Sequence, residues 1–311
     1  MVPPTDRKAP DTNKERVNTA VSAWQETLYD LIVRTSTDLP GDVEQALRSA
    51  QATEKPGNAA AALSTMLENV DLARRHGKPI CQDTGTILFW VETPPGAVTQ
   101  STFREAAEKA ITQATRDGVL RQNCVDTFSG RNTGNNLGHG SPVIHWHEID
   151  SDAISVDLIL KGGGCENVGA QYALPDTSLG ASRNLDGVYR CVLDATVRAQ
   201  GRGCAPGILG VAIGGDRATG YAESKEVLRR RIGERNPVPE LADLELRILR
   251  DANTLGIGPM GFGGRTTLLD VFVGCRCRLP ASYFVSLSYM CWAYRRRGVR
   301  TTSNGNPRGW H

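Results

Sequence analysis

Short apolar segments alternate with amphipathic ones along the second half of the chain, and this alternation restricts the fold more than any other feature of the sequence. The apolar segments have the length of buried strands, and the segments between them carry apolar residues at helical spacing. The predicted strands cover residues 154–160, 208–213 and 268–273, and the predicted helices cover residues 184–200, 222–232 and 239–255. Strands that alternate with helices in this way are typical of an α/β fold.

A mainly helical layer precedes this part of the chain. We predict helices over residues 14–35, 42–51, 59–75 and 103–117, and strands over residues 87–91 and 143–149. No repeat period and no low-complexity linker divides the sequence. We therefore expect a single α/β domain over residues 15–298, with a disordered tail at residues 1–14 and a loose tail at residues 299–311.

Composition and charge limit the partners of the protein. The 311-residue chain is 40% hydrophobic and 23% charged, as a folded core requires, and its net charge of +2 provides no strongly basic surface for nucleic acid or an anionic membrane. The first residues lack the apolar run of a secretory signal, and no apolar stretch has the length of a membrane span. We expect a cytoplasmic protein that binds neither nucleic acid nor membrane.

Eight cysteines are spread along the chain without a Cys-x-x-Cys pair, so any metal site must combine distant segments. In a reducing compartment such thiols are more often buried, catalytic or metal-bound than paired in disulfides. Cys81, Cys204 and Cys291 lie in turns beside polar, proline or bulky residues. Three scattered thiolates would suit a [4Fe-4S] cluster that keeps one iron free of protein ligands, whereas spacing alone favours buried structural cysteines.

Three glycine-rich turns, at residues 161–164, 210–215 and 256–265, would allow the backbone to approach an anion closely. Tight turns between packed strands and helices explain each of them more simply, and their spacing fits neither the dinucleotide nor the Walker motif. His145 and His147 share a strand face and could chelate a metal, although histidines on a strand face are more often structural.

A series of short motifs occurs in a fixed order along the chain. They are Pro79–Gly85, Asn132–Asn135, Gly162–Cys165, Gly203–Pro206, Gly210–Gly214, Leu255–Pro259, and Cys291–Ala293 with Arg295 and Arg296. In this order they resemble the class I (iron-sulfur) fumarase and L(+)-tartrate dehydratase family, specifically its α subunit or N-terminal catalytic domain. The resemblance covers residues 16–298 and implies the α-subunit fold of the Fe-S hydro-lyases.

The resemblance implies a cofactor and its ligands. Cys81, Cys204 and Cys291 would hold a [4Fe-4S] cluster, and Cys165 would not be a ligand although it lies in a motif. The remaining thiols would then be structural cysteines, namely Cys124, Cys191, Cys275 and Cys277.

The resemblance also implies roles at the substrate. Gln82 would bind a substrate carboxylate, and Asp83 would transfer a proton or position the water. Backbone N–H groups around Gly164 would cradle a carboxylate. Arg131, in a polar turn, could clamp a carboxylate through its guanidinium or belong to a solvated loop.

The implied activity is that of a hydro-lyase, which adds water to a small dicarboxylic acid or removes it, in the manner of fumarate hydratase. L(+)-tartrate is the alternative substrate. Leu279 stands where similar fumarase and tartrate dehydratase sequences carry a histidine that faces the substrate, so another 2-hydroxy dicarboxylate is a further alternative. Family members that act alone continue into a second domain, whereas this chain ends at His311. We therefore expect a separate β subunit and an α2β2 assembly.

Two interpretations in which the protein is not an enzyme stay open at this point. A non-catalytic iron-sulfur sensor would keep the cluster without turnover, and its function would survive replacement of Asp83 by asparagine. A cofactor-free binding module with incidental cysteines would be colourless. The colour of the purified protein and the effect of that substitution separate both readings from an enzyme.

Overall fold

The computed structural model describes residues 12–311, with side chains from residue 20 onward. Its helices are α1 Thr12–Thr37, α2 Gly41–Thr53, α3 Asn58–His76, α4 Gln100–Arg116, α5 Gly163–Asn167, α6 Leu185–Ala199, α7 Arg217–Glu226 and α8 Pro239–Ala252. Its strands are β1 Thr86–Thr93, β2 Val143–Glu148, β3 Ile154–Lys161, β4 Ala170–Ala173, β5 Gly207–Gly214, β6 Leu268–Arg276, β7 Phe284–Met290, β8 Arg296–Thr301 and β9 Pro307–Trp310. The predicted mixed α/β fold with a helical N-terminal layer is confirmed.

The described chain forms two compact units. The first contains residues up to 34 together with residues 88–158 and 297–311, and the second contains residues 35–87 and 159–296. The domain boundaries at residues 15 and 298 stay a prediction. Within residues 12–311, no helix combines the length and the apolar character that crossing a membrane requires.

The first unit is built around a five-stranded sheet in the order β2-β1-β3-β8-β9. Aromatic side chains pack edge to face beside it, with Phe103 of α4 meeting Trp24 of α1 at 5.5 Å and Phe89 of β1 at 5.8 Å between ring centroids. His145 stacks on Trp90 across the parallel β1–β2 pair at 4.9 Å. This packing supports the structural interpretation of that histidine.

The C-terminal tail differs from the loose segment that the sequence predicts. Strands β8 and β9 pair antiparallel, and Gly298 and His311 exchange backbone hydrogen bonds of 2.7 and 2.9 Å. The guanidinium of Arg34 lies 4.6 Å above the ring of Trp310. Because these contacts join residues far apart in sequence, local composition could not reveal them. At the other end helix α1 already begins at Thr12, while residues 1–11 of the predicted disordered tail lie outside the described residues.

The second unit contains a four-stranded sheet in the order β4-β7-β5-β6. Strand β5 is buried along its whole length, runs parallel to β6 and antiparallel to β7, and packs with helices α6 and α8 in one apolar core. Gly210 of β5 lets helix α7 approach closely, because a Cβ at this position would overlap the carbonyl oxygen of Ser224. The turns that carry Cys81, Cys204 and Cys291 belong to this unit.

A buried ion pair ties helix α8 to this sheet, and its removal should lower stability strongly. The Glu245 carboxylate, fully buried, accepts hydrogen bonds from Arg230 at 2.6 Å and from the backbone N–H of Val273 at 2.8 Å. We expect Glu245→Gln to lower the free energy of unfolding by about 3 kcal/mol, because it leaves a largely buried guanidinium without its counter-charge. Urea unfolding followed by circular dichroism measures this change.

The matched control is the surface pair of Asp186 with Arg247, whose side chains are 69% and 44% exposed. Asp186→Asn should cost less than about 1 kcal/mol, since water screens an exposed pair. Equal losses for the two substitutions would contradict a special contribution of the buried pair.

Candidate active site

The turn that carries Cys81 is fixed from both sides by hydrogen bonds to the helical layer of its own unit. The N–H of Ile80 donates to the carbonyl oxygen of Ser36 at 2.9 Å, and the Asn69 side chain of α3 donates to the carbonyl oxygen of Ile80 at 2.8 Å. Cys81 is half-buried and Gln82 is exposed. The turn therefore presents its thiol and its amide from an anchored backbone.

Asp83 links this turn to the glycine-rich turn after β3. Its Oδ2 accepts a hydrogen bond from the backbone N–H of Gly163 at 2.7 Å. A Cβ on Gly162 would lie 3.0 Å from the same oxygen, so the absence of a side chain there lets the carboxylate approach. Gly164, the predicted carboxylate cradle, is exposed in the same turn.

Gly85 is a second close approach between these two turns. It has a φ of +85°, and a Cβ there would lie 2.5 Å from the carbonyl carbon of Lys161. Gly85→Ala should therefore destabilise the protein by about 2 kcal/mol or more, and it should also displace Asp83 and lower activity. Thermal unfolding and an activity assay of the same preparation measure both effects.

Gly77 provides the control for this substitution. It also has a positive φ, +58°, but a Cβ would meet nothing within 4 Å. Gly77→Ala should cost only about 1 kcal/mol of backbone strain and leave activity intact. If Gly77→Ala reduced activity as much as Gly85→Ala, the close approach to Lys161 would have no special role.

Cys204 lies in a strained turn between α6 and β5. Its φ of +55° is rare for a residue with a side chain. The carbonyl oxygen of Cys204 accepts from the N–H of Trp292 at 3.3 Å, and that of Ala205 accepts from the N–H of Met260 at 2.8 Å. A Cβ on Gly203 would lie 2.5 Å from the ring of Tyr289. Neighbouring segments thus hold the thiol in its unusual conformation.

Cys291 follows β7 and shares a hydrogen bond with Cys165 of α5; both side chains are buried. The hydrogen bond to Cys291 lowers the pKa of Cys165 to about 7, helped by the charges of Lys161 and Arg295, while the pKa of Cys291 rises. The shared hydrogen bond and the neighbouring positive charges therefore favour the thiolate of Cys165 over that of Cys291.

The turns bring four thiols into one neighbourhood. Burial raises the pKa of Cys204, and the nearby Cys165 and Cys81 add to this effect; Cys204 in turn raises the pKa of Cys291. Among the described residues, no three His, Cys, Asp or Glu side chains converge as the ligands of a single metal ion do.

Two buried cations, Lys161 and Arg295, interact electrostatically with the thiol of Cys165. Lys161 is fully buried, and its Nζ lies 3.4 Å from Oε2 of Glu166, whose Oε1 accepts a hydrogen bond of 2.6 Å from Lys225. Burial lowers the pKa of Lys161, while the charges of Lys161 and Lys225 outweigh burial and lower the pKa of Glu166. Arg295, also buried, interacts electrostatically with Cys165 and Cys291.

A cleft of about 760 Å³ opens in front of two of these thiols. It is lined by Asn58, Ala61, Ala62, Thr65, Met66, Asn69, Ile80, Cys81, Gln82, Cys204, Met260, Phe262 and Trp292. A cleft of this size holds a small organic acid with room for water. Its lining combines the thiols of Cys81 and Cys204 and the amide of Gln82 with apolar side chains of helix α3 and of the loop after α8.

The structure does not bring every predicted residue to this cleft. Arg131 lies in the first unit, exposed on a loop closed by a hydrogen bond of 2.8 Å from the N–H of Asp126 to the carbonyl oxygen of Arg131. Leu279 is 74% exposed and lines a different cleft of about 930 Å³. Cys191 lies in the apolar core, as its structural role predicts, whereas Cys275 and Cys277 are exposed.

Sequence reasoning missed the buried cations and the Cys165–Cys291 contact. A charged residue at the end of an apolar strand, such as Lys161 after β3, was the available signal. Nothing in the spacing of Cys165 and Cys291 indicates that they touch, because the contact depends on how α5 packs against β7.

Comparison with known proteins agrees with this architecture. The chain matches the family described as Fumarate hydratase (Fumerase) over residues 25–300. It is 50% identical over 283 residues to "Putative fumarate hydratase class I" of Geobacillus stearothermophilus, covering 90% of this chain and 55% of that protein. It is 31% identical over 287 residues to L(+)-tartrate dehydratase subunit alpha of Escherichia coli (strain K12), covering 92% of each chain.

The class that these relatives define is that of the hydro-lyases. The chain belongs to the fumarate hydratase (Fumerase) family, and the resemblance noted in its motifs is confirmed. It spans about half the length of the Geobacillus relative and nearly all of the tartrate dehydratase α subunit.

Proposed function

We propose that the protein is the α subunit of a [4Fe-4S]-dependent hydro-lyase that catalyses the reversible hydration of a small dicarboxylic acid of the fumarate type. One observation carries this proposal. Cys81, Cys204 and Cys291 reach one neighbourhood from three separate segments, beside Asp83 and a cleft of suitable size. The family membership of the chain supports the reaction class.

The chemistry of the donor set fits such a cluster. In a cubane each thiolate binds a different iron, so ligands from separate segments, as these three cysteines are, suit such a cluster. A single metal ion would need ligands that converge, and the described residues offer no such set. Three cysteine ligands leave one iron open, provided that Cys165 supports its neighbour Cys291 instead of binding iron.

When bound, the cluster would supply Lewis-acid polarisation of the hydroxyl group that leaves or enters. The residues of this chain would then position the substrate and move the proton. Gln82, exposed at the cleft, would donate its amide N–H to a substrate carboxylate. Asp83, held through Oδ2 by Gly163, would exchange a proton with the substrate carbon or the water.

Two further anchors complete the proposal. Backbone N–H groups around Gly164 would bind the second carboxylate, since glycines there leave the backbone accessible. We also propose that Arg131, whose guanidinium is exposed on a tightly closed loop of the first unit, binds an anion. The apolar side chains of the cleft, among them Met66 and Phe262, would exclude excess water around the polarised bond.

We propose further that the protein acts in the cytoplasm with a separate β subunit in an α2β2 assembly. Free cysteines suit a reducing compartment. The relative that this chain matches over nearly its whole length is named as the α subunit of L(+)-tartrate dehydratase, which supports a two-subunit arrangement. The same relative makes L(+)-tartrate the second candidate substrate.

The test is an anaerobic assay of the chain alone and of the chain produced together with a candidate β subunit. Fumarate, L-malate and L(+)-tartrate are supplied separately, and the ultraviolet absorbance of the unsaturated acid or of the keto acid product is followed. Turnover of one of them that requires both subunits and is lost on exposure to oxygen supports the proposal. Absence of turnover with all three, in a protein that holds its cluster, would favour an iron-sulfur sensor.

A further inference from the structure

Arg295 is a buried cation without a polar partner for part of its guanidinium. The residue is 1% exposed, and among the described residues neither Nε nor Nη1 has a hydrogen-bond partner. The next residue, Arg296, is also buried, and among the described residues its Nε has no hydrogen-bond partner, but its Nη2 pairs with the carboxylate of Asp42. Nearby Arg230 pairs with Glu245 at 2.6 Å, so carboxylate pairing is available elsewhere in this unit.

An unpaired guanidinium in the interior is costly, because its hydration is lost without a replacement. Such a group usually pairs with an anion or faces a ligand. Arg295 has five N–H donors in a planar fork, and several of them need an acceptor. The buried position therefore indicates an anionic neighbour that can accept hydrogen bonds from these N–H groups.

The backbone of Arg295 is held in place by hydrogen bonds, and its side chain is buried. Its carbonyl oxygen accepts from the N–H of Leu160 at 3.1 Å, and its own N–H donates to the carbonyl oxygen of Ala293 at 2.9 Å. From this position the side chain interacts electrostatically with both Cys165 and Cys291. The positive charge of Arg295 therefore attracts the negative charge of a thiolate at either cysteine.

We propose that Arg295 is a positioning residue for the iron-sulfur site: its charge and its unpaired N–H groups stabilise the anionic sulfur atoms and thereby raise the reduction potential of the bound cluster. This inference rests on the proposed function. Hydrogen bonds and positive charge near the sulfur atoms favour the reduced cluster, which carries one more negative charge. If Arg295 only balanced the charge of a Cys165 thiolate, its replacement in a protein that already lacks Cys165 would leave the reduction potential of the cluster nearly unchanged.

The test compares Arg295→Gln with Arg296→Gln, both in the full chain loaded with iron and sulfide under anaerobic conditions. At the midpoint potential of the unmodified protein, Arg295→Gln should lower the ratio of reduced to oxidised cluster about tenfold. Arg296→Gln removes a neighbouring buried charge that pairs with Asp42, so it should lower stability without moving this ratio. The same comparison in a Cys165→Ser background should give the same shift.

A spectroscopic measurement makes the test independent of how well Arg295→Gln folds. In the unmodified protein labelled with ¹⁵N-arginine, pulsed electron paramagnetic resonance of the reduced cluster should show hyperfine coupling to a guanidinium nitrogen. Arg295→Lys should remove this coupling, and Arg296→Lys should keep it. An unmodified protein with a cluster but without the coupling, or an unchanged ratio in Arg295→Gln, overturns the inference alone. An unmodified protein that takes up no iron overturns the proposed function with it.

Discussion

Replacement of Cys81, Cys204 or Cys291 by serine is expected to abolish the brown colour and the bound iron of the protein, and to reduce hydro-lyase activity to background. Each of these thiols would bind a different iron, so a hydroxyl at any one position leaves a corner of the cluster without its anionic ligand. Iron analysis and the visible absorption of anaerobically prepared variants measure this loss.

Cys165→Ser is the informative control, because Cys165 is buried and hydrogen-bonded to Cys291. It should retain iron and colour, since its proposed role is to support Cys291 and not to bind iron. Cys191→Ser, in the apolar core, controls for the effect of a buried hydroxyl on stability. Loss of iron in Cys165→Ser would indicate four cysteine ligands and no open iron, which contradicts the proposed mechanism.

Asp83→Asn is expected to lower the turnover rate by about 10²- to 10⁴-fold while the cluster stays bound. Asparagine keeps an oxygen that can accept the hydrogen bond from Gly163, so the turn should keep its shape, but the amide cannot exchange the proton. Steady-state kinetics together with the visible spectrum separates loss of chemistry from loss of the cluster.

Asp186→Asn is the control, because this carboxylate is 69% exposed on helix α6 and pairs with the surface residue Arg247. It should retain full turnover. A rate within about threefold of the unmodified protein for Asp83→Asn would exclude Asp83 as the proton-transfer group, since removal of such a group costs far more.

The elements of this fold were predictable where hydrophobic spacing or capping marks them. Helix α4 was predicted at residues 103–117 and observed at Gln100–Arg116, because Thr99 caps it three residues earlier through the N–H of Thr102. Helix α7 was predicted at residues 222–232 but begins at Arg217. Asp216 and Thr219 form a capping box that starts the helix early, and its last part tightens into a 3₁₀ turn.

Long-range pairing was not predictable from local patterns. The C-terminal strands pair with each other across a short loop, and the last residue contacts Asp157 of β3 through a side-chain interaction of 3.0 Å. Polar and glycine residues in this segment indicate a loop when only neighbours in sequence are considered. The hydrogen bonds that stabilise these strands are made to partners that the segment contacts only in the folded protein.

The candidate site divides in the same way. The resemblance of the motif at residues 79–85 singled out Cys81, Gln82 and Asp83, and their place in a polar turn before a buried strand is visible in the local sequence. The contact of Cys165 with Cys291 and the buried, partly unpaired Arg295 depend on packing between distant segments. Contacts that support the ligands of a site in this way can be identified only when burial and hydrogen-bond partners are known.

Mössbauer spectroscopy of the protein loaded with ⁵⁷Fe tests the central claim most directly, with spectra taken before and after addition of the substrate found in the assay. The account predicts about four irons per chain as a single cluster, of which one changes its spectrum when substrate binds and the others do not. A protein without iron, or a cluster in which no iron changes its spectrum when substrate is added, would contradict a cluster that is held by Cys81, Cys204 and Cys291 and keeps one iron open.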